Sequence, residues 1–166
     1  RARARAAPTA GMAAPLGDAG GGAWLLDLSC KGLGDDDAEA ACELQLAASR
    51  KEQNGQRAAL PFQEMDISGN CVGWRGCQKL VELCLACKDL RVVKFSQNEI
   101  CDLAAPALCD LIRRSPALEQ LHLSFNRLSS IGARAIVAAA QDSSPRRLSG
   151  GPSPLPFWLR LENNCI

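Results

Sequence analysis

Cysteine and histidine are the side chains best able to ligate metals, exchange electrons or act as nucleophiles. This 166-residue chain holds nine of the first and one of the second. The cysteines stand at 30, 42, 71, 77, 84, 87, 101, 109 and 165. Cys84-Leu-Ala-Cys87 is the only Cys-x-x-Cys, and with Cys71 and Cys77 it offers the ligand types of a four-cysteine zinc site. His122, the single histidine, excludes a site built on two imidazoles, and no nucleophile–His–carboxylate set can be placed around it. The glycine-rich GDAGGGA (17–23) has neither G-x-G-x-x-G spacing nor a lysine, so it does not read as a phosphate loop. The residues assign no catalytic group, no cofactor and no metal. The chain is expected not to be an enzyme.

Charge and composition narrow the classes further. Nineteen Lys and Arg against 18 Asp and Glu leave a formal charge of +1, so bulk charge does not point to nucleic acid. No apolar run approaches the 18 or so residues of a membrane span. The odd cysteine count, with no secretory leader and no Asn-x-Ser/Thr acceptor in the sequence, favours a reducing cytoplasm, or the nucleus, over a disulfide framework. Arg1 in place of Met, and a pattern that runs into Ile166, read as a fragment. Residues 1–22, rich in Ala, Gly and Arg, lack the large apolar side chains that would offset chain entropy and are expected to be a disordered flank.

The elements that must position any functional residue emerge from self-comparison. EMDISGNCV (64–72), VVKFSQNEI (92–100), QLHLSFNRL (120–128) and WLRLENNCI (158–166) share apolar-x-apolar-x-x-Asn-x-apolar; LLDLSCKGL (25–33) fits with Lys31 in place of Asn. The anchors Lys31, Asn70, Asn98, Asn126 and Asn164 lie 39, 28, 28 and 38 residues apart. Agreement extends to small residues six beyond the anchor (Gly76, Ala104, Gly132) and to apolar ones ten beyond (Ala41, Leu80, Leu108, Ile136). Each unit alternates with period two and then with i, i+4, i+7 spacing, which predicts a short strand followed by an amphipathic helix. Strands are expected near 25–29, 64–68, 92–96, 120–124 and 158–162, and helices near 35–50, 74–86, 103–114 and 130–141. Asp35, Asp36 and Asp37 suit one helix start and Arg50–Lys51 its end, while Asp102 is expected to cap the helix that closes at Arg113–Arg114. Under this register Cys84 is a core position, and Cys42 and Cys109 share one helical position, as buried small side chains would.

These units resemble the leucine-rich repeat family, in the 28-residue class of ribonuclease inhibitor and the Ran GTPase-activating protein. The resemblance covers about residues 23–166 as some five units, the last truncated. It implies an α/β horseshoe solenoid with parallel strands on the concave face and helices on the convex face. Stability is then shared between neighbouring units. The repeated Asn70, Asn98, Asn126 and Asn164 take a structural role at the turn that leaves each strand. The usual task of such a solenoid is non-enzymatic protein–protein interaction, so a protein partner is expected, with no membrane and no nucleic acid for this part of the chain, and a monomeric state.

On the presumed concave face the central outward residue runs Asp27, Asp66, Lys94, His122, Arg160, from acidic to basic. Two residues on come Ser29, Ser68, Ser96, Ser124 and Glu162; two back come Leu25, Glu64, Val92, Gln120 and Trp158. Asp66, Lys94, His122, Trp158 and Arg160 are the candidate partner-binding residues, since exposed Trp and Arg are favoured in interfaces. The surplus residues of the two long units, 48–61 and 143–156, read as basic insertions on one edge. A GTPase activator like the Ran-specific protein is the alternative, with Arg50, Arg57 and Arg75 as the nearby arginines. A further alternative follows from PLPFWLRLENNCI, which is similar to repeat-array junctions that continue into a nuclease-like or RNA-associated domain.

Overall fold

The computed structural model describes residues 24–49, 59–148 and 157–166. The expected flank 1–22, the basic residues Arg50, Lys51 and Arg57, and the segment 149–156 lie outside the described residues. What is described is an α/β arrangement of five strands and four α-helices in strict alternation. The strands are β1 (Leu25–Asp27), β2 (Glu64–Asp66), β3 (Val92–Lys94), β4 (Gln120–His122) and β5 (Trp158–Arg160). They form one parallel sheet in chain order. The helices are α1 (Asp35–Ser49), α2 (Trp74–Leu85), α3 (Ala105–Arg114) and α4 (Ser130–Leu148). Each strand has three residues rather than the five that alternation predicts. The hydrogen-bond ladder nevertheless continues beyond it, as in Leu28 N–H to Asp66 O and Cys30 N–H to Ser68 O.

The register explains the core. Leu26, Met65, Val93 and Leu121 are register partners beneath the sheet and are buried; Leu159 follows on β5, half-buried. The second apolar position of each unit puts Leu28, Ile67, Phe95 and Leu123 beside them, and the helices return Ala41, Leu80, Leu108 and Ile136 to the same core. The cysteines at helical core positions behave as predicted. Cys84 is wholly buried with its thiol 3.5 Å from the sulfur of Met65, while Cys42, Cys77, Cys87 and Cys109 are also buried.

The asparagines join units rather than merely closing turns. The Asn98 side chain donates to the carbonyls of Phe95 in its own unit (3.2 Å) and Ile67 in the preceding one (3.0 Å). Its oxygen accepts the N–H of Val72 at 3.0 Å, again from the preceding unit. Asn70, Asn126 and Asn164 repeat that set toward Leu33, Ile100 and Leu128. Lys31 lies in the turn after β1, the strand that has no upstream neighbour among the described residues. There its side chain bonds only the Asp27 carbonyl, at 3.0 Å. The residue before each anchor takes a left-handed conformation: Cys30, Gly69, Gln97, Phe125 and Asn163 have φ of 55°, 74°, 56°, 58° and 57°. Four of the five carry a side chain there, a strain of about 1–2 kcal/mol each that the inter-unit bonds must outweigh.

Two further expectations are corrected. Asp102 does not cap the helix of its own unit, whose start has no side-chain cap; it opens a 3-10 turn (Asp102–Ala104), and its carboxylate reaches forward to Ser129 N–H at 2.8 Å and to Gly132 N–H at the start of α4. Asp35 does the same for α2 through Gly73 N–H and Gly76 N–H, at 2.7 and 3.0 Å. The carboxylate lies so close that a Cβ on Gly76 would stand 2.8 Å from the Asp35 oxygen, and one on Gly132 would collide with Asp102. That is the physical reason for glycine at positions 76 and 132. The second correction concerns α4, which runs on to Leu148, so part of the 143–156 insertion is helical. Pro145 removes one donor from the ladder without ending the helix, and the Ser143 hydroxyl donates to the Ala140 carbonyl at 3.0 Å.

Candidate functional site

Because side chains alternate across a strand, burying the inward residues turns Asp27, Asp66, Lys94, His122 and Arg160 outward in one line across the sheet. Leu25, Glu64, Val92, Gln120 and Trp158 form the parallel line behind it. The structure thus brings together all five residues that the sequence nominates: Asp66, Lys94, His122, Trp158 and Arg160.

The electrostatics of that line differ from a simple acid-to-base gradient. Lys94 Nζ lies 2.5 Å from a Glu64 oxygen and 3.8 Å from Asp66, so its charge is spent on β2. The hydrogen bond to Glu64 holds its pKa above the ordinary lysine value. Asp27 accepts Ser29 N–H and Oγ–H at 2.9 and 2.7 Å, and those bonds pull its pKa down. Asp66 accepts Ser68 N–H at 2.9 Å. Two of the repeated serines therefore fasten a carboxylate at the strand exit. His122 is half-buried with Nε2 3.2 Å from the Gln120 side-chain oxygen; burial first, then Arg160 and Lys94, push its pKa below 6.5. Each of these causes favours the neutral ring over the imidazolium.

Arg160 is thus the one cation of the line with no carboxylate in salt-bridge range among the described residues. Its guanidinium lies 5.6 Å from the ring centre of Trp158, which is 57% exposed. Beyond it, Glu162 accepts the Ser124 hydroxyl at 2.5 Å, and that bond lowers its pKa. Arg160, Ser124 and Glu162 border a shallow groove of about 390 Å³, closed on its other sides by Ser96, Gln97, Phe125 and Asn163. Sequence reasoning missed the last three. All are left-handed residues before an anchor, and only Asn163 and the equivalent Gly69 are types that suggest that conformation.

Other candidates are placed as follows. Burial holds Cys42 and Cys87 protonated, with pKa pushed up to about 12, and raises Cys77, Cys84 and Cys109 as well. Cys30, Cys71 and Cys165 are exposed. No group of three or more potential ligands that could hold a metal occurs among the described residues, and no helix there is long and apolar enough to cross a membrane. Arg75 is paired with Asp36 at 2.9 Å. No family model matches the chain, and no curated protein is significantly similar to it.

Proposed function

We propose that the chain is a leucine-rich repeat solenoid of the ribonuclease-inhibitor-like class, working as a non-enzymatic protein–protein interaction scaffold in the cytoplasm or nucleus. The observation that carries this reading is the contrast between the two faces of one sheet. Inward positions repeat as apolar side chains, whereas the central outward position passes from Asp27 and Asp66 through Lys94 and His122 to Arg160, which stacks on exposed Trp158 and has no carboxylate in salt-bridge range among the described residues. Stability alone asks for no such variety, and Trp and Arg carry much of the energy of protein interfaces. Thiols kept protonated by burial suit a reducing compartment. Arg75, tied to Asp36, gives the GTPase-activator reading no free arginine among those considered and described.

A photo-crosslinking residue at Val92, with Arg113 as the control position on the helical side, is the direct test. The outward position should trap a defined protein. Trp158→Ala with Arg160→Ala should weaken its binding by at least about 2 kcal/mol, some thirtyfold in affinity. Arg113→Ala with Arg114→Ala should leave it unchanged. Full binding by the Trp158/Arg160 variant, with loss on changing 143–156, would move the site to the insertion edge. Acceleration of GTP hydrolysis would overturn the non-enzymatic reading.

A further inference from the structure

The outward line ends in two groups that can hold a negative charge jointly. His122 and Arg160 are register partners on neighbouring strands β4 and β5. The Trp158 ring lies over the Arg160 guanidinium and leaves its N–H edge available, and a planar fork of this kind suits a carboxylate. The Gln120 oxygen takes the proton on His122 Nε2, so a second proton on the ring goes to Nδ1. The groups facing His122 are Lys94 on β3, Asp66 on β2, Arg160 on β5 and Glu162 beyond it. Lys94 is engaged by Glu64 and Asp66, and Glu162 by the Ser124 hydroxyl. Arg160 and Glu162 balance in charge, so the sign of this end of the face is set by whether His122 carries its second proton.

We propose that His122 and Arg160 form an acid-strengthened docking site for a carboxylate on an acidic segment of the protein partner. The inference rests on the interaction-scaffold reading and deepens it. A carboxylate held against Arg160 completes a favourable pair and places negative charge beside the imidazole, which then gains its proton more readily. By linkage, affinity rises as pH falls from above the bound-state pKa of His122 toward its free-state value. The opposite end of the line, with Asp27, Glu64 and Asp66 against Lys94, repels the same segment and so fixes its direction along the sheet.

Because His122 is the only histidine, its ring proton signals in NMR are unambiguous. The probes are an N-acetylated hexa-aspartate amide, a hexalysine amide and a six-nucleotide single-stranded DNA, titrated at low ionic strength. Hexa-aspartate should raise the His122 pKa, and its affinity should grow at least fivefold from pH 7.5 to 5.5. His122→Gln should abolish that gain, and Arg160→Gln should abolish both binding and the pKa rise. An affinity for hexa-aspartate that does not change with pH would overturn the proposal, as would tighter binding of hexalysine at pH 5.5. An equal response to the DNA would replace the carboxylate by a phosphate backbone. These readouts on the unmodified chain report the anion site alone, whereas failure of the scaffold reading appears as absence of a partner crosslinked at Val92.

Discussion

Replacing Asn98 by Ala removes one rung that joins two units, and the structure allows the loss to be followed atom by atom. Val72 N–H loses its acceptor, the Asn98 oxygen at 3.0 Å, at a residue with no exposed surface. A buried donor left unpaired costs about 1–3 kcal/mol. The carbonyls of Ile67 and Phe95 each lose one donor but keep another, from Asn70 at 2.7 Å and Asn126 at 2.9 Å. Each of those losses is therefore nearer the ordinary net value of about 0.5–1 kcal/mol. The expected total is about 2–5 kcal/mol. With a urea dependence of about 1–3 kcal/mol per molar, the far-UV circular dichroism midpoint should fall by roughly 1 M or more. Lys31→Ala loses one exposed bond to the Asp27 carbonyl and should cost under about 0.5 kcal/mol. Asn98→Asp sharpens the test, since it turns an acceptor toward carbonyls that the amide served as a donor. The folded state raises such a carboxyl's pKa, so this variant should be least stable near neutral pH and should recover part of its loss on acidification. Equal midpoints for Asn98→Ala and Lys31→Ala would show that the asparagine does not hold the units together.

Gly132→Ala should destabilise by about 1–3 kcal/mol in the same assay, since a Cβ there collides with the Asp102 carboxylate, whereas Gly34→Ala, with its nearest neighbour 3.8 Å away, should be close to neutral by that contact. Equal effects would remove the close approach as the reason for glycine at position 132. Titration with Ellman's reagent should label Cys30, Cys71 and Cys165 quickly in the folded protein and Cys42, Cys77, Cys84, Cys87 and Cys109 only on unfolding, since burial both hides and protonates the latter. The unfolded, unreduced chain should titrate about nine thiols; seven or fewer, or fast labelling of Cys84, would contradict the core assignment.

The inward half of this architecture was legible in the sequence because a single type of constraint, apolar burial, recurs at a fixed period. Met65, Val93 and Leu121 announce the strands, and Leu80, Leu108 and Ile136 the helices. Less legible were contacts between different units. Asp35 and Asp102 recur only in alternate units, so they resemble local caps, and the chain gives no local sign that the carboxylate is used one unit later. The left-handed residue before each anchor is Cys, Gly, Gln, Phe and Asn in turn, a set whose chemistry shares nothing although its backbone does. The helical pattern ends near 141, yet α4 continues through Pro145, whose single lost donor did not outweigh that continuation. At the candidate site the sequence reveals the order of outward residues but not their pairing. Lys94 counts as a cation in the sequence and is already engaged in the fold.

That pairing bears on how the outward face can evolve and be tested. Backbone groups between units are satisfied by the parallel ladder, the asparagine rungs and the forward-reaching carboxylates, so most outward side chains carry little of the stability. Substitutions there should fall in the small range typical of surface positions. Asp27 and Asp66 depart from this because their carboxylates accept the serine N–H groups at the strand exits, and Lys94 departs because it joins β3 to β2. A binding defect from changing those three mixes recognition with local order. His122, Trp158 and Arg160 have no comparable duty to the backbone in the bonds described: they touch Gln120 and one another. The β4–β5 end is therefore where recognition can change without disturbing the array. For the same reason, a loss of partner binding there, in a variant with an unshifted urea midpoint, is a statement about the partner and not about the fold.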